Sequence, residues 1–256
     1  MRQPFSARSV MASALLGTVP PMLPGRLLVA LAREFGIADG TARVALSRMV
    51  DKGELTNDHG DYTLAGQLVE RQERQEAGLR PALQPWSGDW EMAVVRPGSR
   101  ASDERSALRT ALTRLGLREH RQGVWLRPDN LDPDRLPVQR RIAAAQTDRF
   151  AARPDADPCA LAATLFDLDR WADRAHELLA AMGPIRIRLD RDDRTVLAPG
   201  FELAAAVLRH FVADPLIPPP LLDGDWPAPG LRETYARYDV AYRRMLKDFF
   251  RDQRES

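Results

Sequence analysis

The chain has 256 residues, 44% of them hydrophobic and 29% charged, with a formal net charge of +1 and a mean hydropathy of −0.37. That mixture can build packed cores and is far from a disordered composition. The absence of any run near ~18 uninterrupted apolar residues argues against a membrane span, and the single cysteine, Cys159, rules out an intrachain disulfide and a multi-cysteine metal site.

Lys52 and Lys247 are the only lysines, so the positive charge is almost all arginine, which reads first as a coding bias. It is unevenly placed. Residues 1–52 hold seven basic groups against three acidic, whereas residues 53–80 hold three against six and residues 151–256 hold fifteen against eighteen. A basic end on a near-neutral chain suits contact with a polyanion through that end alone. Met1 to Gly17 has the outline of a signal peptide, two arginines before a short apolar run. Ser9 and Ser13 interrupt that run and the pattern continues as a structured helix, so the chain reads as cytoplasmic.

In chain order, Ser6 can cap a first helix whose apolar positions Val10, Met11, Ala14 and Leu15 form one stripe at period 3.6. Gly17 and Pro20-Pro21 stop it. Pro24 suits the start of a second helix, lined by Leu27, Leu28, Leu31, Ala32 and Phe35 and closed by Gly36 in the left-handed conformation. Asp39 is the expected N-cap of a third helix, Gly40 to Asp51, ended by Gly53. The period then changes: Leu55, the cluster Asn57-Asp58-His59-Gly60-Asp61 and Tyr62-Thr63-Leu64 predict two short strands about a turn at Gly60. From Gln67 to Arg80 the pattern is helical but strongly polar, as in a connector or solvated support, and Pro81 and Pro85 mark a boundary.

A second region opens at Trp86. Trp90, Met92, Val94 and Val95 predict a buried strand stopped by Pro97-Gly98. Ser102 opens a helix with Leu108, Ala111, Leu112 and Leu115 on one face, and Gly116-Leu117 with Gly123 to Leu126 suggest a hairpin. Residues 128–158 hold five prolines and give no clear pattern. Further on, single helical runs are expected over Cys159 to Met182, Phe201 to Val212 and Leu231 to Arg251, with a proline-rich passage from Pro215 to Pro229. The expected organisation is α+β in three parts: 1–80, 86–150 and 151–256.

Three short helices followed by a hairpin within about sixty residues describe a winged helix-turn-helix. On a wheel of the third helix, Ala42, Ala45, Leu46, Met49 and Val50 fall within roughly ±60° of one direction and face inward. Val44, Ser47, Arg48 and Asp51 point outward, with Thr41 and Arg43 on the flanks near the start. In this fold the outward face of that helix enters the major groove, its N-terminal residues nearest the bases. Arg43 and Arg48 can offer a planar fork to guanine or phosphate, and Thr41 and Ser47 are short donors for phosphate. His59 sits at the tip of the expected wing, in reach of an adjacent groove or backbone. The expected DNA-binding set is therefore Thr41, Arg43, Val44, Ser47, Arg48 and His59.

No phosphate-binding glycine loop, nucleophile elbow or His-Glu-x-x-His motif is present, the four histidines are dispersed, and no motif calls for a metal or cofactor. Arg209, His210, Trp226 and Tyr238 are the residues whose chemistry suits an anionic aromatic ligand. Tyr235, Tyr238 and Tyr242, however, stand at the spacing of an ordinary core stripe.

Several segments resemble the PaaX-type repressors of phenylacetic acid degradation. These are Ser6 to Ser9, Thr41 to Val50 followed by Gly53-Glu54-Leu55, Tyr62 to Gly66, Trp86 to Trp90 and Gly123 to Pro128, and, near the end, Arg209 to Phe211, Asp214 to Pro218 and Asp225 to Pro227. The likeness spans nearly the whole chain. Thr41, Arg43, His59 and Gly60 are also similar to the recognition helix and wing of acyl-CoA-responsive winged-helix repressors. The resemblance implies an N-terminal winged helix, a central ferredoxin-like domain similar to the Cas2 nucleases, and a helical C-terminal domain. It further implies a homodimer on a roughly palindromic double-stranded operator, released by an aryl-CoA thioester such as phenylacetyl-CoA. The alternative is a nucleic-acid-processing or thioester enzyme carrying a helix-turn-helix module, but Glu91 to Arg96 lack the strand-end aspartate that Cas2-type chemistry needs.

Overall fold

A computed structural model describes residues 5–98, 101–222 and 224–255; Arg2, one of the N-terminal cations, lies outside them. Packing gathers the chain into two compact units that are not continuous in sequence. The first combines the stretch ending at Leu79, Ala175–Ala213 and the stretch beginning at Pro229; the second combines Arg80–Arg174 and Asp214–Ala228.

The first unit begins with α1 (Ala7–Leu16), whose N-cap Ser6 accepts a hydrogen bond from the Ser9 N–H. β1 (Met22–Pro24) runs straight into α2 (Gly25–Glu34), and α3 (Asp39–Asp51) follows after a turn at Gly36, φ +70°. The helix starts one residue earlier than expected: Ala38 is the N-cap, and Asp39, in the first turn, is drawn off to an ion pair with Arg33. β2 (Leu55–Asp58) and β3 (Asp61–Leu64) pair across the two-residue turn His59-Gly60. Both turn residues have positive φ, 48° and 96°, as a type I′ turn requires. β1 adds a third strand on the other side of β3, giving the order β1-β3-β2. Val10, Met11, Leu15, Leu27, Leu28, Leu31, Leu46 and Met49 are buried and close the three-helix core.

α4 (Gln67–Leu79) departs from the sequence expectation of a solvated connector. At its end a Cβ on Gly78 would lie 2.9 Å from the Phe211 carbonyl carbon, so the helix backbone packs directly on α9 (Leu197–Val212). Arg232, on α10 (Ala228–Glu255), donates through Nη2 to the Gly78 carbonyl at 3.0 Å. By length and apolarity α9 could pass for a membrane span, but Phe201, Ala205, Val207 and Phe211 are core residues of this unit. Phe201 meets Phe35 edge-on at 5.0 Å, joining α9 to the end of α2.

The second unit has the order β4 (Trp90–Val95), α5 (Ser102–Arg114), β5 (Arg118–Arg121), β6 (Val124–Pro128), α6 (Pro137–Gln146), β7 (Thr147–Ala152). Its antiparallel sheet runs β5-β6-β4-β7, the ferredoxin-like topology. The helix and strand that complete it lie within the proline-rich region that gave no pattern. On one face Ala93, Trp125 and Ala143 pack with Leu108, Leu112 and Leu115 of α5. On the other, Trp90 and Leu126 pack with Ala162 of α7 (Pro158–Leu165), Phe166, Ile217 and Leu221. The single helix expected over Cys159 to Met182 is two, because Phe166 turns extended to enter this core before α8 (Leu168–Asp190) begins.

Near the end of the inner strand β6, Arg127 is almost completely buried. It donates to the Leu115 and Pro128 carbonyls and, at 2.7 Å, to Asn130 Oδ1, while Asn130 Nδ2 donates to the Leu216 carbonyl. This chain of polar contacts fixes the loop after β6 against the Asp214–Ala228 segment of the same unit.

Candidate nucleic-acid interface

α3 divides as its sequence dictates. Ala42, Leu46 and Met49 are buried, while Thr41, Arg43, Val44, Ser47, Arg48 and Asp51 are exposed, Val44 at 50%. A half-exposed valine midway along a polar face is a ready contact for a thymine methyl group.

The neighbouring arginines are used differently. Arg33 donates through Nε and Nη2 to the two oxygens of Asp39, each at 2.6 Å, and bridges the end of α2 to the first turn of α3. The Arg33 hydrogen bonds hold the Asp39 carboxyl below its ordinary pKa. Arg8 of α1 grips Glu54, between α3 and β2, and holds that carboxyl below its ordinary pKa in the same way. These two pairs brace α3 at both ends. Arg43 and Arg48 make no ion pair or hydrogen bond among the described residues, which leaves their guanidinium forks available.

The wing tip is tied to the helices behind it. Gly25, opening α2, donates its N–H to the Gly60 carbonyl at 2.8 Å, and a Cβ on Gly25 would meet the Tyr62 ring at 2.7 Å. Asn57 Oδ1 accepts from the Gly60 N–H. His59 projects from this braced turn with its side chain 98% exposed; its Nε2 lies 3.6 Å from Asp58. Two further cations of the same unit, counted in the basic N-terminal charge but left out of the expected DNA-binding set, are exposed: Arg26, in the first turn of α2, and Lys52, the C-cap of α3. Neither sits on the wheel of α3, so the face analysis did not reach them.

The four residues considered for an effector differ in setting. Tyr238 is a core residue, 1% exposed, whose hydroxyl donates to the Gly200 carbonyl at 2.8 Å; Tyr235 and Tyr242 are buried beside it, as a core stripe requires. Arg209 is exposed and His210 half-buried in the last turn of α9. Trp226 belongs to the second unit and stacks on Trp171 at 4.8 Å. At the end of β4, where Cas2-type chemistry needs an aspartate, stands Arg96, engaged by Asp148 and the Thr147 carbonyl.

Three helices, a three-stranded wing and an outward arginine-bearing helix face make residues 7–64 a winged helix-turn-helix module of the DNA-binding class, and a ferredoxin-like domain follows it. Residues 6–68 match the family described as PaaX-like protein, and residues 83–158 match the PaaX protein central Cas2-like domain. An uncharacterized Mycobacterium tuberculosis protein, Rv0674, is similar in structure with a TM-score of 0.75 and 37% identity, covering 95% of this chain and 98% of its own. No curated protein matches the chain. The chain belongs to the PaaX family, a family of transcriptional regulators.

Proposed function

We propose that the protein is a one-component transcriptional repressor that binds a double-stranded DNA operator as a homodimer. In this reading α3 lies in the major groove, with Arg43 and Arg48 reading guanine or gripping phosphate, Thr41 and Ser47 on phosphates, Val44 against a base methyl, and His59 at the flanking groove. Two such helices sit about one helical turn apart, ~34 Å, on a roughly palindromic site. The regulated genes are those of an aromatic or acyl catabolic operon, and an aryl-CoA or acyl-CoA thioester releases the protein. A ligand with different affinity for two spacings of the recognition helices shifts the population away from the binding one.

The observation that carries this reading is the selective pairing of arginines. Arg8 and Arg33 are consumed by Glu54 and Asp39 in bracing the helix, whereas Arg43 and Arg48 project unpaired from its outer face. A solvated structural helix has no need of that division. The test is a gel-shift titration with duplexes enriched by the protein from a random pool. The reading predicts enrichment of paired half-sites by the wild type and weakened binding by Arg43→Ala and Arg48→Ala. A failure to enrich any sequence overturns it.

A further inference from the structure

The first unit contains a cavity of about 160 Å³. Four helices line it: α1, α4, α9 and α10. Ala14, Phe201, Ala205, Tyr235, Tyr242 and Leu246 form its buried wall, and Val19, Glu76 and Arg243 are exposed at its edge. An apolar cavity of ~150 Å³ is enough to admit benzene.

The chemistry of the lining narrows what fits. The apolar wall carries three aromatic rings, and burial pushes the Tyr235 and Tyr242 phenols up, so both stay neutral. The Tyr242 hydroxyl is spent on the Leu197 carbonyl. The carboxamides of Gln72 and Gln75 on α4 supply hydrogen-bonding groups. Arg243, the cation of the lining among the described residues, is already engaged: it donates through Nε to Asp239 and through Nη1 to the Gly17 carbonyl, each at 2.6 Å. With Arg243 committed to Asp239, an incoming anion meets an apolar wall and a cation already neutralised by a carboxylate.

We infer that this cavity binds a small uncharged ring compound of roughly six to nine non-hydrogen atoms, and that its occupancy is communicated to the DNA-binding face through α1. The route is short. Gly17, held by Arg243, is the C-cap of α1, and α1 packs directly on α3. Anything that wedges α1 from α10 changes the support of the recognition helix. The binding half of this inference stands on the cavity alone; the communication half rests on the proposed regulatory function.

Full-length protein is titrated with benzyl alcohol and with benzoate, followed by thermal melting and saturation-transfer NMR. Benzyl alcohol is expected to raise Tm saturably and benzoate to bind at least tenfold more weakly, a gap that Asp239→Asn narrows. Filling the cavity with Ala204→Phe or Ala205→Leu abolishes the benzyl alcohol signal. The absence of a saturable signal from the wild type, or its persistence in both filled variants, overturns the site. The same titration is repeated on protein bound to its enriched duplex, where a change of DNA affinity of tenfold or more is expected. Saturable binding with DNA affinity unchanged overturns the communication through α1 and leaves the cavity site standing, while failure to bind any duplex overturns the regulatory reading instead.

Discussion

Arg8 and Glu54, 46 residues apart, form a two-pronged ion pair, Nε to Oε2 at 2.8 Å and Nη2 to Oε1 at 2.7 Å. The pair fastens α1 to the segment joining the recognition helix to the wing. Because the Arg8 hydrogen bonds lower the Glu54 pKa in the folded chain, the stability they contribute is complete above the ordinary carboxylate pKa of about 4.3. It is lost as pH falls through the lower folded value. Glu54→Gln should therefore melt below wild type at pH 7, with the gap closing toward pH 3. A gap independent of pH across that range contradicts the role given to this pair.

Gly78→Ala forces a methyl group against the Phe211 backbone at 2.9 Å, where no side chain can yield. It should destabilise the protein by about 1–3 kcal/mol, read as a lower urea midpoint. A neutral outcome would return α4 to the loose connector its polar sequence suggests.

Arg127→Ala removes the donor for two buried carbonyls and for Asn130 Oδ1. Several buried acceptors left without partners should cost roughly 3–5 kcal/mol, and urea unfolding followed by tryptophan fluorescence reads it through Trp90 and Trp125 of the same unit. In the wild-type chain the arginine also dictates its neighbour: Gly116, φ +81°, has no room for a side chain, since a Cβ there would overlap Nη1 of Arg127.

Arg26, in the first turn of α2 next to the Gly25 that holds the wing turn, and Lys52, the C-cap of α3, are exposed. As phosphate contacts, each changed singly to Ala should weaken binding almost equally on enriched and unrelated duplexes. Each should also reduce the slope of log affinity against log salt by about one. A loss confined to the enriched sequence would make them base readers.

The winged helix was legible because its signals are local: a cap at Ser6, glycines at 36, 53 and 60, and an apolar stripe on α3 that fixes the opposite face by geometry. The missed elements depend on distant partners. β1 is three residues ending in proline and becomes a strand only by pairing Met22 with Thr63. α6 and β7 hide among prolines, yet Pro137 suits a first helical turn and Thr147 pairs with Val95 on β4. The break at Phe166 carries no glycine or proline and is set by the core it enters. Within the site, Arg43 and Arg48 were readable as outward-facing, but that Arg33 and Arg8 are taken by carboxylates is a tertiary fact. Tyr238 followed the core spacing of its neighbours rather than the ligand role that its chemistry also allowed.

The account turns on the outer face of α3, and a salt-controlled anisotropy titration of the Arg43→Ala, Arg48→Ala double variant against the enriched duplex tests it most directly. With folding verified by circular dichroism, the account predicts a loss of about 1–3 kcal/mol for each arginine that reads a base, tenfold or more for the pair. Affinity equal to wild type at every salt concentration would contradict it.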